Sequence, residues 1–544
     1  MKSLYKLALG VSAVSMLAFA GCKKFRDVNK NPNNPESVTV QLLLPSAQAE
    51  VAQTLGGKFQ ITGGIWSQYW TQDPSASQYR AFEQYQLDAS EFNNQWLGLY
   101  SGALADFEQI IKIGGTAKNY IAIAKIMKGY TYQLLTDQFG DIPFTEALKG
   151  ESDGITSPHY DSQETVYNGI IALVEEGMSE LDDAAAHPAK DDLIYGGDLT
   201  AWKKFGNTLL LRVYMRLSER APSKAQAGIA ALYTNGIGFI EEGETAKIDY
   251  SSEPGNYNPF YSEINNAVIG RQLNIIASAT AMDSFLANND ARVAAFYYPN
   301  GAFKGLSQGN YLSAAATYST PSAAVGGDVR TAAIDQSAVA PVIFISDYES
   351  LFLQAEAAVR GWGTGDDKSL FERAVVANFT AYSSAISGAI GSVFGPLVAD
   401  SLATSDSTGV RQEIPFTPSY AANTYLHGDA DVLNGDYYLD GDPVSVTPAS
   451  FWGTYPATGT PAEKLKYIIT QKWFCMCGNE GIEAWTEWRR TGYPTFFVHS
   501  PNSVIGAGNF PVRLPYPASE ISNNLNFPST GQPPMTARVW WDVN

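Results

Sequence analysis

The chain has 544 residues, 45% of them hydrophobic and 17% charged, a composition that supports a large core and excludes global disorder. Its formal net charge is -19, so a polyanion is repelled on approach and nucleic acid is excluded as a partner. Aromatic residues reach 12%, and a surplus of Tyr and Trp beyond the core suits binding surfaces, where a rigid apolar body with a polar tip is useful.

The first element is an export signal over 1–21. Lys2 and Lys6 form a basic start, an apolar run follows from Leu7 to Ala20, and small residues precede Cys22. That run falls short of the roughly 20 apolar residues a membrane span needs. Its stop at Ala-Gly-Cys resembles a bacterial lipobox, with Phe19 where Leu is usual, which marks Cys22 for lipidation. Residues 22–40, "CKKFRDVNKNPNNPESVTV", are rich in turn formers and offer little to bury, so they are expected to be a flexible tether. Asp27, Asn29 and Asn31 have the spacing of a calcium loop's start, but Pro32 stands where the turn glycine is needed and no glutamate closes the loop.

Residues 41–544 are expected to form one mainly α-helical domain. Tyr120, Ala124, Met127, Thr131 and Leu134 recur every three or four positions, which predicts a helix ending near Phe139 and Gly140. Similar patterns predict helices over 91–113, 163–186, 199–218, 347–360, 370–385 and 462–474. Pairs of these separated by short Gly, Pro or Asn breaks suggest helix-turn-helix units stacked as a solenoid, although a plain bundle also satisfies the pattern. The helical scaffold is placed mainly in 41–285, 341–390 and 461–491. Two loop-rich insertions, 286–340 and 391–460, lack the helical period and carry Gly, Ser, Thr, Asn and aromatics. Loops this long are functional or disordered, and their Tyr and Trp argue for order, so ligand contact is expected there.

Candidate ligand aromatics are Trp70 and Tyr79 in "IWSQYWTQDPSASQYRAFEQY", Tyr297 and Tyr298 in "FYYPNG", and Tyr437 and Trp452 in the second insertion. A sugar offers apolar C–H faces and a rim of hydroxyls, so an aromatic platform beside amides and carboxylates fits it. Trp66 and Trp70 also stand one helical turn apart, a spacing that a core uses. Asp429, Asp431 and Asp436 lie with further aspartates in a glycine-rich loop, where calcium is one reading and a solvated acidic loop the plainer one. No other cofactor is expected.

No catalytic constellation emerges. Glu349 and Glu356 lie two turns apart, about 10 Å along a helix, and Glu487 with Arg490 has the spacing of an ordinary helix-surface pair; structural salt bridges are expected for both. Cys475 and Cys477 are two apart, awkward for a disulfide, and none of the four His stands at metal-ligand spacing from them, so they are expected as packed thiols. There is no G-x-S-x-G, H-E-x-x-H or P-loop.

Three stretches are more informative: "APVIFISDYESLFLQAEAAVRGW" from Ala340, "IITQKWFCMCGNEGIEAWTEWRRTGYP" from Ile468 and "RLPYPASEISNN" from Arg513. With the lipobox and the Asn-Pro tether, the chain resembles the SusD/RagB family of Bacteroidetes outer-membrane lipoproteins, in its SusD-like branch. The resemblance implies a scaffold of tetratricopeptide-like helix pairs with long irregular ligand-binding loops and no catalytic activity. It also implies a lipid anchor in the outer membrane, facing the cell surface, and a SusC-like TonB-dependent transporter as partner. The implied ligand is a nutrient, foremost an oligosaccharide, with a peptide as the alternative within the family; a surface glycoside hydrolase or a ligand-free helical scaffold are the readings outside it. Lys23, Lys24 and Arg26 depart from the acidic residues that surface-exported relatives often carry, so the face of the membrane rests on the resemblance alone.

Overall fold

The computed structural model describes residues 38–265, 274–386 apart from 289, 315, 331 and 332, and 452–544, with short pieces at 403–405, 411–413, 425–426, 438–439 and 442–443. The signal segment, Cys22 and the tether up to residue 37 lie outside the described residues.

Helix pairs dominate. Helix α1 spans Val40–Thr54, α2 Gln60–Trp66, α3 Ala105–Ile113, α4 Lys118–Phe139, α5 Gln163–Glu180, α6 Leu199–Arg216 and α7 Pro222–Thr234. After an irregular stretch come α8 Asp347–Val359, α9 Asp367–Ala381, α10 Pro461–Cys475 and α11 Gly481–Thr491. Consecutive helices pack in pairs, α4 on α5, α6 on α7 and α8 on α9, while α10 leans on α8 and α11 returns to α2. Stacked helix pairs are the tetratricopeptide-like arrangement that the breaks in the sequence suggest.

Local chemistry sets the helix starts. Asp198 accepts hydrogen bonds from Thr200 N and Ala201 N at the head of α6, Ser346 accepts from Glu349 N at α8, and Thr460 and Glu463 form a reciprocal capping box at α10 with Pro461 in the first turn. Such caps satisfy amide groups that have no partner inside the helix.

Three expected helices differ in extent. The 91–113 pattern is a run of short segments, Ala89–Phe92, Asn93–Leu97, Gly98–Leu104 and α3, with a widened π turn in the middle. The cause lies at Gly98 and Gly102, where the Glu50 side chain of α1 occupies the space a Cβ would need. Helix α5 stops at Glu180 rather than 186, because Leu181 turns extended and Asn119 brackets Asp182, donating to its carbonyl at 2.9 Å and accepting from its N–H at 2.9 Å. Helix α9 begins three residues early because Asp366 caps it through Ser369 N.

Strands are short and serve as clips. Trp70–Gln72 (β1) pairs antiparallel with Ile275–Ala277 (β3), Ala246–Ile248 (β2) with Val342–Ile345 (β6), and Tyr297–Tyr298 (β4) with Thr320–Pro321 (β5). Within 286–340, β4 and β5 clip the segment to itself, and it joins β3 where Ala277 N donates to Ser319 O at 2.8 Å and Leu306 N donates to Ala277 O at 2.9 Å. One apolar core runs from Val40 to Trp541 and unites these elements.

Cys475 and Cys477 are buried, free thiols at the end of α10. Arg292 Nη1 lies 3.0 Å from the Cys475 sulfur and the Tyr297 hydroxyl 3.4 Å from that of Cys477. Burial pushes Cys475 up to about 12 and Cys477 upward as well, so neither supplies thiolate at neutral pH. A chain beginning after Cys22 should therefore show no thiol reactive to an aromatic disulfide reagent when native, and two once unfolded. Rapid native labelling would contradict the burial.

Candidate functional site

The motif "EAWTEWRRTGYP" folds inward. Arg216 of α6 pairs with Glu483 and Glu487 of α11 and lies 3.3 Å from Asp137 of α4. Arg490 holds Glu356 of α8 at 2.6 Å and Glu487 at 2.7 Å. Arg212 pairs with Glu349 and donates to Phe344 O at 3.0 Å. Lys472 of α10 sits 3.4 Å from Glu349 and 3.5 Å from Glu487. Glu487 and Arg490 are 3% and 1% exposed, which corrects the helix-surface pair expected from their spacing. Their three-residue interval fits both settings; what decides is the opposing α6 and α8, which the interval does not encode. Burial alone would raise Glu487, but Arg490, Lys472 and Arg216 outweigh it and hold that carboxylate well below its ordinary range. Five helices, α4, α6, α8, α10 and α11, are thus locked by a buried ionic lattice, and the paired glutamates are structural, as expected.

A cleft of about 990 Å³, at the upper end of what small-ligand sites use, opens beside the heads of α8 and α11. Strand β4 and the following turn supply Tyr298, Pro299 and Phe303; α8 contributes Asp347 and Tyr348 at its first turn; the end of α9 contributes Val376, Ala377, Thr380 and Ala381, with Tyr382 just beyond it; and the α10–α11 junction adds Asn479. Alanines and Val339, Pro341 and Ile343 make much of the wall apolar, while Glu242, Lys247, Asp328 and Arg330 stand around it. The floor is fixed by Asn479 Nδ2 donating to the Tyr382 hydroxyl at 2.5 Å. Asp347 accepts from Gly243 N at 2.8 Å, tying one rim to the head of α8.

The sequence candidates separate by depth. Tyr298 is half-buried and lines the cleft. Tyr297 borders the same space from below, 1% exposed, with its hydroxyl turned inward to Tyr69 O at 2.9 Å. Trp70 and Tyr79 are each 1% exposed. Trp70 stacks flat on Phe260 at 4.7 Å and Tyr79 packs edge-on to Phe82, so both are core residues rather than a ligand surface, because the β1–β3 clip turns their segment inward. Trp452 is half-buried against Tyr467 at 5.0 Å and is not among the residues lining the cleft. Tyr437, Asp429, Asp431 and Asp436 lie outside the described residues. Sequence reasoning passed over Phe303, Arg330, Tyr382 and Asn479, which are far apart in the chain; only Phe303 lay close enough to a flagged aromatic pair to have been noticed.

Comparison with known proteins sharpens this picture. Residues 32–391 match the family model described as "Starch-binding associating with outer membrane", and residues 417–542 match that of "Susd and RagB outer membrane lipoprotein". The chain belongs to the SusD/RagB family. A chitin-binding SusD homolog from Flavobacterium johnsoniae superposes with a TM-score of 0.67 at 24% identity, covering 92% of this chain and 99% of that one. A SusD/RagB family protein from Bacteroides thetaiotaomicron gives 0.69 at 22%, covering 93% and 99%. A SusD homolog from Bacteroides uniformis gives 0.66 at 24%, covering 92% and 99%. At such identities the likeness is one of fold. None of the curated proteins matches the chain. SusD/RagB membership makes this an outer-membrane-associated nutrient-binding protein and not an enzyme. Among the described residues no helix is long and apolar enough to cross a membrane.

Proposed function

We propose that this SusD/RagB protein, lipid-anchored through Cys22 and facing the cell surface, captures an oligosaccharide in the Tyr298 cleft and delivers it to a SusC-like TonB-dependent transporter. The observation that carries the reading is the cleft itself: aromatic edges from Tyr298, Phe303, Tyr348 and Tyr382, an apolar wall and a polar rim within about 990 Å³. Sugar rings present an apolar face and a hydroxyl rim to match it. Because the Flavobacterium relative is chitin-binding, chitin oligosaccharides are the first ligands to test. Titration calorimetry on the chain starting after Cys22 is expected to show saturable binding of at least one glycan from a panel of chitin, cellulose and starch oligosaccharides. No binding across that panel would sink the capture reading. For delivery, affinity isolation from native outer membranes is expected to bring down one large barrel protein; its absence would remove the transporter from the proposal.

A further inference from the structure

At the rim of the cleft, Arg330 is held on three sides. Its Nε donates to Asp328 Oδ1 at 2.9 Å and Oδ2 at 3.0 Å, its Nη2 pairs with Asp328, and its backbone N–H reaches Asp328 Oδ1 at 3.0 Å. Its guanidinium carbon stands 3.1 Å from the centre of the Tyr298 ring, so Arg330 covers one face of that ring. Asp328 is itself fixed: its N–H donates to Ser337 Oγ at 3.1 Å, and the same hydroxyl donates back to Asp328 O at 2.7 Å. Yet the Arg330 side chain remains 41% exposed.

A half-exposed arginine ordinarily gives up rotamer freedom when a ligand fixes it. Here the fold has already fixed it, and preorganisation of this kind raises affinity. The Nε–Nη2 edge is spent on Asp328. Arg330 lines the cleft, and its Nη1 group makes no hydrogen bond among the described residues, which leaves two N–H donors for a ligand.

Charge decides what those donors suit. The Asp328–Arg330 fork is neutral as a unit. Lys247 pairs with Asp249 at 2.9 Å, Glu242 pairs with Arg373 at 2.6 Å, and Asp347 is satisfied by backbone N–H groups of Gly243 and Tyr348, each at 2.8 Å. Among the described residues no lining cation is left uncompensated, and the net charge of -19 disfavours an anionic ligand from a distance.

Resting on the capture reading above, we infer that Arg330 determines the specificity of the cleft for an uncharged saccharide. Its Nη1 donates to a neutral oxygen such as a hydroxyl, ring oxygen or N-acyl carbonyl, its outer face carries the sugar, and Asp328 keeps acidic sugars out by cancelling the charge that would draw them.

The test uses the chain from residue 23 with four probes: chitohexaose, cellohexaose, maltohexaose and hexagalacturonate. Wild type is expected to bind at least one neutral hexasaccharide and to leave hexagalacturonate unbound. Arg330→Ala should weaken the neutral ligand by about tenfold or more, since a hydrogen bond from a charged donor is of that order. Arg330→Gln, which keeps a donor but not the stacked plane, should fall between the two. Asp328→Asn, which frees the positive charge, should gain salt-sensitive binding of hexagalacturonate. Wild-type affinity in both Arg330 variants, or a wild-type preference for hexagalacturonate, would overturn the inference while the capture reading stands. Failure of wild type to bind any of the four would remove the capture reading, and this inference with it.

Discussion

Arg216→Ala is expected to destabilise the protein by about 3–5 kcal/mol, the range for deleting one partner of a buried charge cluster. Arg216 is 1% exposed and faces Asp137, Glu483 and Glu487, so truncation leaves three carboxylates short of a cation in a medium that solvates them poorly. They cannot all relax by taking up protons, because Arg490 and Lys472 still hold Glu487 in its charged form. The contrasting control is Arg373→Ala. Arg373 also pairs with two carboxylates, Glu241 and Glu242, but its side chain is 40% exposed, and pairs in water contribute about 1 kcal/mol or less. Urea unfolding of both variants measures the difference. Equal losses would mean that the α6–α11 lattice is no more than a set of surface pairs.

That lattice shows where the sequence was and was not legible. The helical period ending near Phe139, and those over 199–218 and 462–474, marked real helices because an amphipathic face repeats every turn, and the caps at Asp198, Ser346 and Thr460 are local chemistry. The paired glutamates were legible as structural, but their depth was not: an i, i+3 pair looks the same in water and in a core, and only the opposing helix decides. The same limit governs the cleft. Tyr298 stands out in the sequence because two adjacent tyrosines lie in a turn before Gly301, and it lines the cleft. Trp70 and Tyr79 stand out equally, yet β1 pairs with β3 some 200 residues later and carries both inward. Arg330, Tyr382 and Asn479 converge from three separate segments, and no spacing in one chain announces a meeting of that kind.

Glu480→Gln is expected to stabilise the protein, and increasingly so as pH rises from about 5 to 8. Glu480 opens the α11 segment, is 4% exposed and sits directly after Asn479 on the cleft floor. Burial, and then the charge of Glu349, push it up to about 8; Ser346, Arg212 and Tyr348 pull the other way but do not win. Arg212 is committed to Glu349 at 2.9 Å, which leaves Glu480 facing a carboxylate and a phenol rather than a cation of its own. The sign follows from proton counting. A carboxyl with a folded-state pKa above its ordinary 4.5 keeps its proton when folded and loses it when unfolded. Stability therefore falls as pH climbs from about 4.5 to about 8 and is flat on either side, as far as this group is concerned. At pH 7 the loss amounts to about 3 kcal/mol at most, since each tenfold change in proton affinity is worth about 1.4 kcal/mol. A glutamine has the shape of the neutral acid and cannot ionise, so it removes the slope. Urea midpoints of wild type and Glu480→Gln compared at pH 5 and pH 8 decide it: the gap should widen at the higher pH. A constant gap would show that Glu480 is ionised inside the fold throughout, and would require a cation beside it that the arrangement of Arg212, Lys472 and Glu349 does not provide.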